Sequence, residues 1–312
     1  MTALPRFVVT ASPHLKARAT TPEIMWTVVG SLLPIVGAAV YFFGISALLV
    51  VIASTAGAVV TEAAFGTRRT LFDGSGTITG ILLGLTLPPG LPLWMAFLGG
   101  AVAIALGKTI FGGLGYNIFN PALLGRAFLQ AAFPLPMTTW RAPADIVTAA
   151  TPLGAFKFEH IETPVTQLML GTTGGSLGET ADLVILACGA FLAWKRFLNW
   201  RTPASILGTV ALMSFVLHRI DTKYPDPLFM LFSGGLMLGA VFMATDMVTS
   251  PVTNKGRWIF GFGVGVLVVT IRVWGGLPEG VMYSILLMNA IVPFINRSTQ
   301  PRVFGTLRKE AA

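Results

Sequence analysis

The sequence predicts an all-α, polytopic membrane protein of about ten transmembrane helices, and three observations carry that prediction. Of its 312 residues, 54% are hydrophobic and only 11% are charged, less than half the roughly 25% charge of a soluble domain. Apolar runs of helical length recur along the whole chain, separated by short polar connections. The basic residues sit in clusters between those runs, so the net charge of +8 reads as charge that orients a membrane protein, not as a nucleic-acid surface.

A helix needs roughly 20 apolar residues to cross the hydrocarbon core. On that measure the spans fall near 24–43, 45–63, 74–88, 92–110, 118–134, 182–199, 203–219, 227–245, 257–274 and 277–295. Residues 1–22 are a polar, mildly basic lead-in without the apolar core and small-residue cleavage site of an export signal, so the first span itself directs insertion. The third span is short and glycine-rich (Gly74, Gly76, Gly80, Gly84) and ends in Pro88-Pro89, the pattern of a broken or re-entrant helix. The eighth, with Gly234-Gly235 and Gly239, is similar. Interrupted helices at matching positions point to a binding site near the midplane; the same glycines also allow close helix packing.

Lys and Arg set the orientation. With the N-terminus inside, cytoplasmic segments carry Arg6, Lys16, Arg18, Arg68, Arg69, Lys108, Lys195, Arg196, Arg201, Lys255, Arg257, Arg297, Arg302, Arg308 and Lys309, and the opposite side only Arg141, Lys157, Arg219, Lys223 and Arg272. Cytoplasmic loops are the basic ones, so both termini are expected inside. The chain then divides into a lead-in (1–22), a first membrane half (23–134), an exported loop (135–181), a second membrane half (182–296) and a cytoplasmic tail (297–312). Five spans on each side of that loop make an inverted five-plus-five repeat that pairs the third span with the eighth.

Three sets of residues are candidates for chemistry. In Gly112-Gly113-Leu114-Gly115-Tyr116-Asn117-Ile118-Phe119-Asn120-Pro121, Asn117 and Asn120 are three apart and would share a face of a helix. Pro121 also suits a first helical position with Asn120 as its cap. A capped helix start and a pair of amides offered to a heterocycle are both open readings. The exported stretch from Asp145 to Leu153 holds Thr148 and Thr151; a hydroxyl in an accessible turn could carry a phosphoester, although such residues are ordinary in loops. Glu62, Asp73, Arg126, Glu179, Asp182, Asp246 and Glu279 lie close to or within the bilayer, where ionised groups pair or line a polar path. Asp246 is the candidate for an ion path, with capping or interface anchoring as the plainer role. The single Cys188 excludes an internal disulfide and reads as a small buried residue. His14, His160 and His218 are too dispersed to bind haem or metal. Nothing in the sequence resembles a hydrolytic triad or a phosphate loop.

Taken in order, several separate motifs give the chain a resemblance. Ser12-Pro13-His14, Asp73-Gly74-Ser75, Leu87-Pro88-Pro89, Gly107-Lys108, Asn117 with Asn120-Pro121-Ala122, Thr151-Pro152-Leu153, Gly178-Glu179, Phe242-Met243-Ala244-Thr245-Asp246 and Pro278-Glu279-Gly280 make it similar to the D subunits of Rnf electron-transport complexes. It resembles more distantly the B subunits of sodium-translocating NADH:quinone reductases. The resemblance implies a redox subunit in a bacterial inner membrane, working with other subunits to pass electrons between ferredoxin and NAD while sodium or protons move. It implies FMN joined by a phosphoester to the last threonine of Asp-x-x-Ser/Thr-Gly-Ala-Thr, which here is Thr151 in Asp145-x-x-Thr148-Ala149-Ala150-Thr151. A flavin transferase attaches it on the exported face, the face to which the Lys/Arg count assigns this loop. Ala149 replaces the usual glycine. The resemblance further implies a non-covalent riboflavin in the membrane, contacted by Asn117 and Asn120. Two readings from other classes compete: a channel or secondary transporter for a small polar solute, and an assembly subunit without redox chemistry.

Overall fold

A backbone in lipid must satisfy its own N–H and C=O groups, and the chain meets that demand with helices. The computed structural model describes residues 19–66, 71–140, 150–179 and 182–301, with no strand among them. The motif around His14, the basic residues of the lead-in, Arg302, Arg308 and Lys309 of the tail, Arg68, Arg69 and the stretch 141–149 lie outside the described residues.

The first half opens with α1 (Thr21–Phe43), whose Thr20 and Glu23 form a reciprocal capping box. Gly44, at a φ of 74°, separates it from α2 (Ile45–Phe65). The third span is α3 (Ser75–Leu85), only 11 residues, which reach about 16 Å, half a hydrocarbon core. Then come α4 (Leu93–Gly107), α5 (Pro121–Ala132) and the short α6 (Pro134–Thr138). Two small helices, α7 (Pro152–Glu159) and α8 (Val165–Leu170), occupy the long connection. The second half runs α9 (Asp182–Trp194), α10 (Arg201–Ile220), a broken eighth span, α13 (Asn254–Trp274) and α14 (Val281–Ser298). The break divides α11 (Pro227–Phe232) from α12 (Leu236–Leu238), which continues as a π-helical turn over Gly239–Met243.

Among the described residues, six helices are long and apolar enough to span a bilayer: Thr21–Phe43, Ile45–Phe65, Leu93–Phe111, Arg201–Ile220, Asn254–Trp274 and Val281–Ser298. The other expected spans are helical but shorter or interrupted, and the third and eighth are the glycine-rich pair. Large apolar side chains such as Leu33, Ile52, Leu212 and Phe262 stay on the outside, an arrangement that suits lipid and not water. The chain is a polytopic membrane protein.

Packing repeats between the halves. α2 lies against α3 and α4, and α4 against α5; α10 lies against α13, and α13 against α14. Small residues permit these approaches: a β-carbon on Gly57 would fall 2.0 Å from Phe97 O, and one on Gly100 2.0 Å from Ser54 O.

Candidate functional site

The broken helices α3 and α12 run in opposite directions between two polar centres. At one end Ser75, Ile78, Thr79 and Leu82 of α3 line a cavity of about 110 Å³, together with Val241 and Phe242 of the π-turn and the following Thr245 and Asp246. Small-molecule sites join apolar walls to a few polar groups, and this cavity has that make-up. Apolar residues of α1, including Ile24 and Val28, close one wall, and Lys108, Asn117 and Asn120 offer polar groups. Three of the residues singled out in the sequence, Asn117, Asn120 and Asp246, therefore meet in one cavity.

Their roles within it differ. Asn120 is the helix cap: its Oδ1 accepts from Ala122 N at 3.0 Å and Leu123 N at 3.3 Å, while its Nδ2 donates to Met243 O at 3.1 Å. Its backbone N donates to Asn289 Oδ1 at 3.2 Å, and Asn289 Nδ2 donates to Thr249 O at 3.0 Å. Asn120 thus ties α5 to the far end of α12, and one amide hydrogen remains for a ligand. Asn117 does not share a helical face with it, because Pro121 starts the helix and leaves Asn117 in the preceding loop. Its Nδ2 donates to Phe119 O at 3.3 Å, and among the described residues its Oδ1 takes no donor. That free acceptor is what a cavity built for a heterocycle with N–H groups needs.

Charge surrounds the same end. Lys108 forms a buried ion pair with Glu62, each 4% exposed. The ammonium also donates to Ser75 Oγ at 2.5 Å, and Asp73 Oδ1 accepts from Ser75 N at 2.8 Å and Ser75 Oγ at 2.5 Å. Asp246 accepts from Val248 N at 3.2 Å and Thr249 Oγ1 at 3.0 Å. Asp73 and Asp246 both fold a turn at this end, the plainer of their two expected roles. Lys108 contributes an internal cation to the cavity wall, although the Lys/Arg distribution counts it among the cytoplasmic basic residues that set orientation.

At the other end the break in the eighth span is held by side chains distant in sequence. Arg272 donates from Nη1 to Met230 O at 2.6 Å and from Nη2 to Ser233 O at 2.8 Å, satisfying carbonyls where α11 stops. Glu279 Oε1 accepts from Gly235 N at 2.7 Å, at the positive start of α12, and its Oε2 pairs with Arg126 at 3.0 Å. Gly234 holds a φ of 68°, a left-handed conformation that favours glycine. The segment before α9 wedges in here: Gly178 N donates to Leu85 O at 2.7 Å and Leu177 N to Leu87 O at 3.2 Å. The end of α3 is therefore capped by backbone from the long connection, which is not wholly a surface loop.

Thr151 opens the helix whose Leu153 lies against Gly234 of this junction. It is the half-buried N-cap of α7, and its Oγ1 accepts from Gly154 N at 3.1 Å. Esterifying that oxygen would remove only its proton and leave the acceptor of the cap, and a phosphate there would face a helix N-terminus, which favours anions. The geometry fits a phosphoester. Leu153 and Phe156 pack on Phe229 of α11. Lys157, whose pKa burial lowers, donates to Arg272 O and Leu277 O at 3.0 Å each and to Gly275 O at 2.5 Å. So α7 is pinned to the segment that carries Glu279. The motif's Asp145, Thr148 and Ala149 lie outside the described residues. Among the described residues no His, Cys, Asp and Glu group is arranged to hold a metal.

Residues 8–305 match the model of the family described as NQR2, RnfD, RnfE. The chain is 44% identical over 321 residues to the D subunit of the proton-translocating ferredoxin:NAD(+) oxidoreductase complex of Clostridium ljungdahlii, with 97% of each chain covered. It is 42% identical to the D subunit of the Na(+)-translocating ferredoxin:NAD(+) oxidoreductase complex of Acetobacterium woodii, again with 97% of each covered. It is 40% identical to the D subunit of the ion-translocating oxidoreductase complex of Stutzerimonas stutzeri, over 92% of this chain and 93% of that one.

Proposed function

Because the chain belongs to the NQR2, RnfD, RnfE family, we propose that it is the flavin-carrying D subunit of an ion-translocating ferredoxin:NAD oxidoreductase complex. FMN is joined to Thr151, and a riboflavin occupies the cavity at Asn117 and Asn120. The observation that carries this reading is the convergence of Asn117 and Asn120 with Asp246, which is distant from both in sequence, on one apolar-walled cavity.

Once bound, a flavin supplies one- and two-electron transfer, and the protein sets its position and electrostatic surroundings. In the cavity Asn117 accepts from an N–H edge, Asn120 offers one amide hydrogen and Lys108 holds a positive charge at the wall. Near the junction Thr151 provides the ester oxygen while Gly154 N–H holds that oxygen in place. Asp246 faces the cavity and is the acidic group offered to the moving ion. The partners are the other subunits of the complex, with a flavin transferase acting in maturation. The location is a bacterial inner membrane with both termini in the cytoplasm, as the Lys/Arg distribution supports.

Purification from native cells tests the reading. The chain should be yellow, keep flavin fluorescence on a denaturing gel, and release a second flavin on acid denaturation. A colourless chain that moves a polar solute through reconstituted vesicles would support the transporter reading instead.

A further inference from the structure

Five ionisable side chains gather around the break between α11 and α12. Two are cations, Arg126 and Arg272; three are acids, Glu179, Glu279 and Asp182. Glu279 pairs with Arg126 and caps α12. Glu179 stands beside it, since a β-carbon on Gly235 would lie 2.7 Å from Glu279 Oε1 and 3.7 Å from Glu179 Oε1. With both arginines and both glutamates ionised, the charges cancel.

Asp182 is then left over. It is 1% exposed at the first turn of α9, and among the described residues neither carboxylate oxygen has a hydrogen-bond partner. Arg272, the nearest cation acting on it, directs both Nη atoms to the carbonyls of Met230 and Ser233. An ionised carboxylate buried without a donor or a matching cation costs far more than a neutral one. Among the elements packed against α9, α8 and α12 with its π-turn bring no ionisable side chain. On α1, Glu23 bonds the Thr20 backbone at the far cap, and Tyr41 is 85% exposed. Among the described residues, Glu179 and Arg272 act on Asp182 electrostatically.

We propose that Asp182 is a proton-binding site, holding as a neutral acid the proton that balances the charged junction of the broken eighth span. The proton comes from solvent.

Infrared spectroscopy of the purified full chain in detergent tests the site without any cofactor. At neutral pH the chain should show the carbonyl stretch of a protonated carboxyl. That band should move in D2O, shift when aspartate is labelled with 13C, and vanish in Asp182→Asn. An amide replaces a neutral acid without introducing charge, so Asp182→Asn should also fold and melt at or above the wild-type temperature. If no labelled carboxyl band is found, or if Asp182→Asn removes none, the proposal is overturned. A marked loss of thermal stability in Asp182→Asn would likewise overturn it, because it would mean that an ionised Asp182 was countering Arg272. Loss of flavin from the chain would leave these results unaffected and would count against the cofactor reading alone.

Discussion

Replacing Glu279 by Gln tests whether the broken eighth span is held by charge. Glutamine keeps an oxygen for Gly235 N–H but removes the counter-charge of Arg126, which is 7% exposed. Taking one partner from a buried ion pair costs roughly 3–5 kcal/mol. The low end applies, because the Glu279 side chain is 20% accessible and Glu179 also acts electrostatically on Arg126; we expect about 3 kcal/mol. Arg126→Gln should cost a similar amount by stranding Glu279. The two losses share one interaction, so the double variant should lose about 4 kcal/mol where additivity would give about 6, a coupling within the roughly 0.5–3 kcal/mol seen for contacting residues. Equilibrium unfolding of the purified chain in mixed micelles provides the four free energies. Additive losses, or a Glu279→Gln loss below about 1 kcal/mol, the size of an exposed pair, would refute the assignment.

Other outcomes follow from the same geometry. Asn117→Leu should leave the fold intact and weaken retention of the non-covalent flavin by roughly tenfold, the value of one net hydrogen bond of about 1.4 kcal/mol, read as flavin remaining after gel filtration. Asn120→Leu should instead destabilise the chain, since it removes a cap worth about 1 kcal/mol and strands Met243 O; its thermal midpoint reports this. Lys157→Met should speed hydrogen exchange over residues 271–279, whose carbonyls lose their shared donor, while the cavity around Asn117 stays unchanged. Gly235→Ala should displace the Glu279 carboxylate, which would lie 2.7 Å from the new methyl group, and so reproduce part of the Glu279→Gln loss.

The spans were legible because lipid imposes a long apolar run on each, and Gly234-Gly235 announced the interruption between α11 and α12. Pro121 announced Asn120 as a cap. Asn117 was legible as a site residue but not as a loop residue, since three-residue spacing suits a helix face as well as an approach to a cap. The sequence carries no sign of what closes the break. Arg272 and Glu279 each bond to backbone about 40 residues earlier, and carbonyl acceptors leave no trace in side-chain patterns. The wedge at Leu177 and Gly178 is hidden for the same reason: its bonds to Leu87 and Leu85 are made entirely by backbone, within a stretch whose composition reads as a loop. Lys108 counted among the cytoplasmic basic residues because its partner, Glu62, is 46 positions away.

Flavin attachment is tested most directly by the mass of the peptide containing Thr151, isolated from native cells that make the whole complex. A mass increase equal to FMN less one water, lost in Thr151→Ala, is the predicted result. An unmodified peptide from an active complex would contradict it.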